Sequence, residues 1–298
     1  MSTCRTACRF GRPSRHEPSD GDETGTAIGL ETYIVTRAYE TLLVENRDNG
    51  LMIVTLNRPE VHNAMNTAMM RELGDVFAPL VQRPGDLRCI ILTGAGEKAF
   101  CSGGDLKQRN NMTDKEWFDQ HLDAQRAIFA MADCSVPIVC AVNGVAYAGG
   151  LEMTLSCDFT YCAPHARFAL TEVSRGIMPG GGGVSVLPNV IGERHAKEMV
   201  LAARPIDAPP AQDWGLVNHI CAEGRLMEEV IDVAEAICAN APLSVKQAKK
   251  AMNVARDVDR KTSHKFALEA YHRLILSEDR IEGMRAFNEK RAPVFRGR

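Results

Sequence analysis

The chain has 298 residues, of which 45% are apolar and 24% are charged, and its 35 basic and 38 acidic residues give a formal net charge of −3. These values are typical of a globular protein that can bury one large core or two modest ones. The mixed, nearly balanced charge excludes a global attraction for nucleic acid, and the longest apolar stretch is broken by Asn143 and several glycines, which excludes a membrane span.

The first 38 residues differ in composition from the rest of the chain. Four arginines precede the first acidic residue, Glu17, and a stretch rich in Ser, Gly, Asp and Glu follows without periodicity. This composition predicts a disordered tail over residues 1–38. An arginine-rich, acid-poor start fits either an over-extended start or a mitochondrial transit peptide. We expect a cytoplasmic location, with the mitochondrial matrix as the alternative.

The ten cysteines do not form a recognisable metal or disulfide framework. Several lie in apolar, strand-like runs, and Cys4 and Cys8 lie in the polar tail without histidines at ligand spacing. We therefore expect reduced thiols and no metal site.

The ordered part of the chain begins with a hairpin pattern. Asn49-Gly50 separates two apolar runs and predicts a β-hairpin over residues 42–56. Apolar residues at helical spacing then predict a helix over residues 69–80, and a short apolar run predicts a strand at residues 89–92.

Strand and helix continue to alternate after this point. Thr113 and Glu116 form a capping-box pattern ahead of a helix that runs through Ala132, and a second buried strand is expected at residues 137–142. This alternation predicts the α/β class, with a largely parallel sheet and right-handed crossovers.

The pattern becomes almost entirely helical after about residue 238. We therefore divide the ordered chain into a core with the active site and a helical end that serves as a packing appendage or an oligomer arm. The core spans residues 39–237 and the helical end spans 238–298, with helices expected at 244–258, 262–276 and 279–291.

Two glycine-rich turns are suited to holding an oxyanion. The first, Ser102-Gly103-Gly104, follows a strand, and the second, Gly149-Gly150, opens a helix. Glycine lets the backbone approach a ligand closely, and the first amides of a helix have no partner inside the helix. Two such amides that converge on one oxygen would form an oxyanion hole. The alternative is that these glycines form ordinary turns without a binding role.

Two glutamates accompany these turns. Glu152 lies one helical turn beyond Gly149, and Glu172 follows another predicted strand and precedes the glycine run at residues 180–183. Two carboxyl groups that flank one site can share acid and base work. Each glutamate alone would also fit a role at a helix N-terminus.

Taken together and in order, these elements resemble the crotonase superfamily, the enoyl-CoA hydratase and isomerase family, over roughly residues 40–298. The stretches that carry the resemblance are Leu56–Pro59, Ala99–Lys107, Val142–Glu152, Cys157-Asp158, Thr171-Glu172, Pro179–Gly183 and Phe287–Arg291. The resemblance implies a spiral of repeated ββα units with a C-terminal helical oligomerisation region, assembled as a homotrimer or a dimer of trimers.

The resemblance also implies the chemistry. It assigns the oxyanion amides to Gly104 and Gly149 and the catalytic carboxyl groups to Glu152 and Glu172, and the presence of both glutamates favours hydration of a 2-enoyl-CoA. No cofactor is expected, since coenzyme A is part of the substrate. The alternatives are double-bond isomerisation, a carnitinyl-CoA type of dehydration, and a non-catalytic or RNA-binding role.

Further positions follow from the same resemblance. Contacts with the substrate and its coenzyme A are assigned to Lys98, Ser102, Asp105, Leu106, Lys107, Phe287 and Lys290, although single lysines are usually solvated surface charges. Trp117 and Phe118 are candidates for the acyl pocket, with ordinary helix packing as the alternative. Two departures from the family pattern are Ala148, in place of a glycine, and Val184-Ser185-Val186, in place of Thr-Gln-Arg.

Overall fold

The computed structural model describes residues 38–298. The predicted tail over residues 1–38, with Cys4 and Cys8, therefore lies outside the described residues apart from residue 38. The described residues belong to one compact unit. No helix within the described part is long and apolar enough to cross a membrane. All eight cysteines in this part have free thiols, as predicted.

The described residues form ten strands, which alternate with helices along the chain. In chain order they are β1 (Leu42–Asn46), β2 (Leu51–Leu56), β3 (Cys89–Gly94), β4 (Ala99–Cys101), β5 (Ile138–Val142), β6 (Val145–Tyr147), β7 (Phe159–Cys162), β8 (Arg167–Ala169), β9 (Ile206–Asp207) and β10 (His219–Ile220).

The same residues form eleven α-helices and three short 3-10 helices. The α-helices are α1 (Thr67–Phe77), α2 (Leu106–Arg109), α3 (Asp114–Ala132), α4 (Gly149–Leu155), α5 (Gly183–Ile191), α6 (Glu193–Ala202), α7 (Ala208–Asp213), α8 (Leu226–Ala239), α9 (Pro242–Ala255), α10 (Arg260–Ile275) and α11 (Glu278–Glu289). The 3-10 helices are Pro59–Val61, Ala78–Val81 and Glu172–Arg175.

The strands build two sheets. The six-stranded sheet has the order β1-β2-β3-β5-β7-β10, and the four-stranded sheet has the order β4-β6-β8-β9. All neighbours are parallel except the β1–β2 hairpin and the β8–β9 pair. Three times in succession one strand enters the larger sheet, the next enters the smaller sheet and a helix follows, which is the predicted ββα repeat.

The central strands β3 and β5 are buried along their whole length because both faces of the larger sheet are covered. Ile90 and Leu92 face the main core, which includes residues of α1 and α3, whereas Cys89 and Ile91 face a second cluster formed with α8. The alternation follows from the two-residue period of a strand.

The predicted hairpin and capping box are confirmed. Leu42 pairs with Leu56 and Asn46 with Met52 in an antiparallel ladder. The Thr113 side chain accepts a hydrogen bond from the Glu116 amide, and the Glu116 carboxylate accepts one from the Thr113 amide, so α3 begins at a reciprocal cap.

The helical end begins close to where it was predicted, since α9, α10 and α11 each start within two residues of the expected position. Helix α9 is fastened to the core by one buried cation. Lys249 donates hydrogen bonds to the Val136 carbonyl oxygen at 2.8 Å and to the Asp158 carboxylate at 2.7 Å. Exposed apolar side chains on α10 and α11 and between them include Tyr271, Leu276, Met284 and Phe287.

Candidate active site

The smaller sheet brings together three turns that are far apart in sequence. Strands β4, β6 and β8 are parallel neighbours, with Cys101 paired to Ala146 and Ala146 to Phe168. Their carboxyl ends therefore meet at one edge of the sheet, each about 5 Å from the next. The turns that follow these strands hold Gly104, Gly149 and Glu172.

The first turn is held on both sides by Met65. The Met65 amide donates to the Gly103 carbonyl oxygen at 2.8 Å, and the Asp105 amide donates to the Met65 carbonyl oxygen at 2.9 Å. Within the described part of the chain, the Gly104 amide between them donates no backbone hydrogen bond. Gly103 needs its glycine identity, because its φ is +97°.

The second turn leads from β6 into α4. The Ala148 amide donates to the Ala169 carbonyl oxygen of β8 at 2.8 Å, and Gly149 is the first residue of the helix. The Gly149 amide therefore has no acceptor inside α4 and lies at the positive end of the helix dipole. A methyl carbon built on Gly103 would lie 3.6 Å from the Gly149 nitrogen, so the two turns are in close contact.

Both turns open into a cavity of about 640 Å³. Gly104, Gly149, Glu152 and Glu172 all line it, so the structure brings the four predicted residues to one place. The remaining wall is largely apolar and comes mainly from α1 and α3; it includes Met70, Leu73, Ala124, Ala127, Ile128 and Met131. Such a wall suits a hydrocarbon chain, while the polar groups gather at the two turns.

The Glu152 carboxylate is fixed by a loop that lies about thirty residues further along the chain. Its Oε1 accepts hydrogen bonds from the Gly181 amide at 2.7 Å and from the Gly183 amide at 2.9 Å. Burial raises the pKa of Glu152, and the two amides, with the charges of His121 and Arg109, oppose this rise. The two amide donors thus stabilise the charged form of the buried Glu152 carboxyl group.

Glu172 has a different environment at the start of a 3-10 helix. Its Oε2 is buried and has no hydrogen-bond partner among the described residues. Burial raises the pKa of Glu172 to about 7, and the negative charge of Glu152 adds to the rise. This carboxyl group can therefore hold a proton near neutral pH and donate it to a bound molecule.

Arg109 was not singled out from the sequence, although it lines the cavity. Its Nε donates to the Gln120 side chain at 2.8 Å, and its guanidinium lies 5.0 Å from the centre of the Trp117 ring. A methyl carbon built on Gly104 would lie 2.6 Å from the Arg109 Cζ. The cation therefore lies beside the first oxyanion turn. The sequence did not indicate this position, because Arg109 is one of many basic residues and reaches the cavity only when α2 folds over the turn.

His121 and the Gly180–Gly183 loop were also missed as partners of Glu152. His121 lines the cavity, and a methyl carbon built on Gly180 would lie 2.8 Å from its Cε1. A methyl carbon on Gly181 would lie 2.9 Å from the Glu152 Oε2. The glycine run indicates that other groups pack closely against this backbone, but the sequence does not show that these groups are His121 and Glu152.

The other predicted site residues divide into two groups. Trp117 and Phe118 line the cavity. Seven residues do not belong to its lining, namely Lys98, Ser102, Asp105, Leu106, Lys107, Phe287 and Lys290.

Asp105 already has partners in the folded chain. Its carboxylate accepts hydrogen bonds from the Lys107 and Gln108 amides, which caps α2, and forms an ion pair with Arg58 at 3.0 Å. Lys98 and Lys107 are exposed near the first turn, and Phe287 and Lys290 lie at the end of α11. The assignment of these residues to coenzyme A stays a prediction.

One cluster of metal-ligating side chains occurs among the described residues, and it does not line the cavity. Ligand atoms of His219, Cys221 and Glu229 lie within 4.8 Å of one another. The His219 Nε2 and a Glu229 oxygen are 2.8 Å apart, and the second Glu229 oxygen accepts from the Ala222 amide. These side chains satisfy one another through hydrogen bonds.

Comparisons with known proteins agree with this architecture. The family model described as enoyl-CoA hydratase/isomerase matches residues 46–298. A Bacillus subtilis protein that carries the name enoyl-CoA hydratase/isomerase YngF is 37% identical over 258 residues, which cover 87% of this chain and 99% of that protein. The carnitinyl-CoA dehydratase of Escherichia coli K12 is 35% identical over 258 residues, covering 85% of this chain and 97% of that protein.

Solved structures show the same similarity. The crystal structure of an enoyl-CoA hydratase from Bacillus anthracis matches with a TM-score of 0.84 and 35% identity, covering 87% of this chain and 100% of that chain. A second, from Geobacillus kaustophilus, matches with a TM-score of 0.79 and 31% identity, covering 87% of this chain and 99% of that chain.

Proposed function

Because the chain belongs to the enoyl-CoA hydratase/isomerase family, we propose that it is an enoyl-CoA hydratase, a hydro-lyase that adds water reversibly to the double bond of a 2-enoyl-CoA thioester. The observation that carries the proposal is the unequal pair of carboxyl groups on one cavity. One is held by two amides, and the other is buried with a pKa near neutrality. Hydration requires both a group that directs water and a group that supplies a proton.

The thioester oxygen binds between the amides of Gly104 and Gly149. Negative charge develops on this oxygen as the enolate forms, so the two donors stabilise the transition state more than the ground state. Donors of this kind contribute on the order of 3 kcal/mol each in other acyl-transfer sites. The acyl chain extends along the apolar wall.

Water lies between the two glutamates and adds to C3. The Glu152 carboxylate orients the water and takes one of its protons, while the protonated Glu172 donates to C2. Both new bonds form on the face of the double bond that the carboxyl groups occupy, so the addition is syn. In the reverse direction the two groups exchange roles, and the net charge of the pair is unchanged.

The charges of the cavity bear on the carnitinyl alternative, whose acyl group carries a quaternary ammonium. The cavity is lined by the acidic Asp114, Glu152 and Glu172 and by Arg109 beside the first glycine-rich turn. Like charges in a partly desolvated cavity repel, so a quaternary ammonium would have to bind away from Arg109. Isomerisation would use one carboxyl group to carry a proton between carbons and leave the second without a role.

The test is loss of the enone absorbance of crotonyl-CoA on addition of the purified protein, with Glu172→Gln measured beside it. We expect rapid loss with the parent protein and none above background with the variant. Product analysis by mass spectrometry should show the addition of one water. Migration of the double bond without a mass change would instead establish an isomerase.

A further inference from the structure

Ala148 has a backbone conformation that alanine rarely adopts. Its φ is 51° and its ψ is −125°. In this region the Cβ of an L-residue crowds its own backbone, whereas glycine adopts the region freely. The residue lies between β6 and α4 and lines the cavity. It is also the position where the resemblance described above leads one to expect glycine.

The conformation of this residue controls the direction of an oxyanion donor. The Gly149 N–H lies in the peptide plane that joins residues 148 and 149, so the ψ angle of Ala148 sets where that N–H points. The same relation holds at the first turn, where Gly103 precedes the Gly104 donor and has a φ of +97°. Each of the two donors therefore follows a residue with a positive φ, which sets its direction.

The side chain of Ala148 also connects the two turns. A methyl carbon built on Gly103 would lie 2.8 Å from the Ala148 Cβ, so the alanine methyl fills the space directly opposite Gly103. On its other side Ala148 is tied to β8, because its amide donates to the Ala169 carbonyl oxygen. A glycine at position 148 would leave a gap between the turns and free the peptide to rotate.

We propose that Ala148 is a positioning residue whose methyl group fixes the separation and direction of the two oxyanion amides at the expense of backbone strain. The inference rests on the proposed function, because it concerns the oxyanion hole of that reaction. Strained residues are retained where the surrounding structure determines them, and they concentrate at active sites.

The experiment compares Ala148→Gly with a matched control, Ala203→Gly. Ala203 has a positive φ of 52° at the end of α6 and does not line the cavity. Relief of strain is offset by the greater freedom of glycine in the unfolded chain, so the Tm of both variants should stay within a few °C of the parent. Only Ala148→Gly should lose kcat, by about tenfold with KM changed less than threefold, because a misdirected donor acts in the transition state. Ala148→Ser retains the Cβ and should stay close to the parent.

Two further readouts do not depend on turnover. Acetoacetyl-CoA serves as a probe, because the ultraviolet absorbance of its enolate reports how well a site holds an oxyanion. The enolate fraction should fall in Ala148→Gly and stay unchanged in Ala203→Gly. Amide hydrogen exchange of peptides that contain Gly104 and Gly149 should become faster in Ala148→Gly alone.

The proposal is overturned if Ala148→Gly keeps the parent kinetic constants, enolate fraction and exchange rates. A serine variant that loses as much as the glycine variant would also overturn it, because serine keeps the Cβ that contacts the first turn. Absence of turnover by the parent on every 2-enoyl-CoA would refute the hydratase proposal alone, because hydrogen exchange and the enolate fraction would still decide the role of Ala148.

Discussion

Glu152, in α4, and Glu172, at the start of a 3-10 helix, line the same cavity, yet their carboxyl groups have different surroundings. Glu152 accepts two amide hydrogen bonds from the Gly181–Gly183 segment, and these oppose the effect of burial on its pKa. Glu172 has a buried oxygen without a partner among the described residues, and its pKa is raised to about 7. Burial raises the pKa of both groups, and backbone hydrogen bonds oppose the rise at both. The charge of Glu152 adds to the rise at Glu172, whereas the charges of His121 and Arg109 oppose the rise at Glu152.

The largest effect expected from this comparison is at Glu172. Glu172→Gln retains the shape of the side chain but has no acidic proton to donate, so kcat for hydration should fall by about 10³-fold or more. Steady-state kinetics with crotonyl-CoA measures the loss. The variant should keep the parent affinity for a saturated acyl-CoA within a few-fold, which shows that the cavity is intact. Turnover within tenfold of the parent would mean that Glu172 is not the proton donor.

Glu152→Gln should be less severe, with a loss in kcat of about 10²-fold. Glutamine can still orient water through its amide oxygen, but it cannot take a proton from it. The same kinetic assay checks this expectation. A loss larger than that of Glu172→Gln would reverse the assignment of the two roles.

A substitution in the Gly180–Gly183 loop should displace the Glu152 carboxylate without moving Glu172. Gly181→Ala would place a methyl carbon 2.9 Å from the Glu152 Oε2, so the carboxylate must shift. We expect a loss in kcat of about tenfold. Gly224→Ala is the control, because nothing lies within 4 Å of its added carbon and the residue does not line the cavity, although its φ of +74° will cost some stability. Equal kinetic losses in the two variants would point to a general effect of loop strain.

The pH dependence of stability tests the raised pKa of Glu172 without substrate. The pKa of Glu172 is about 7 in the folded chain and near its ordinary value of 4.5 when unfolded. Between these values the folded state holds a proton that the unfolded state has lost, so stability from this group falls as pH rises from about 4.5 to 7 and is then constant. Glu172→Gln should therefore gain in Tm relative to the parent as pH rises from 5 to 8. A constant difference would show that the pKa of Glu172 is not raised.

The smallest expected effect concerns Arg109. Its charge lowers the pKa of Glu152 and of Glu172. Arg109→Gln should thus raise the pKa that governs the alkaline limb of kcat/KM by a few tenths of a unit. Lys115→Gln is the control, because Lys115 lies on α3 and is largely exposed. An unshifted limb in Arg109→Gln would mean that its charge is screened from the pair.

Local structure was predictable where neighbouring residues determine it. The Asn49-Gly50 turn and the Thr113–Glu116 cap act over two to four residues, and both are confirmed. The placement of Glu152 one helical turn from Gly149 follows for the same reason.

Contacts across the fold were not predictable in this way. Glu172 joins the site because β6 and β8 pair, and the Gly181 and Gly183 amides reach Glu152 across 29 and 31 residues. Arg109 enters the cavity because α2 folds back over Gly104. The resemblance to a known family supplied the proposed roles of the two glutamates and the two glycines, but it did not supply the partners that set the pKa values of the glutamates.

The contact of Lys249 with Asp158 bears on how the chain can be divided in the laboratory. Asp158 accepts from the Ile138 amide at the start of β5 as well as from Lys249, and Lys249 also holds the Val136 carbonyl oxygen. A protein truncated after residue 238 would leave a partly buried carboxylate and a buried carbonyl group without their cation. Loss of one partner from such a pair is strongly destabilising. Residues 39–237 alone are therefore not expected to form a stable fragment for crystallisation or enzyme assays, and expression should retain α9.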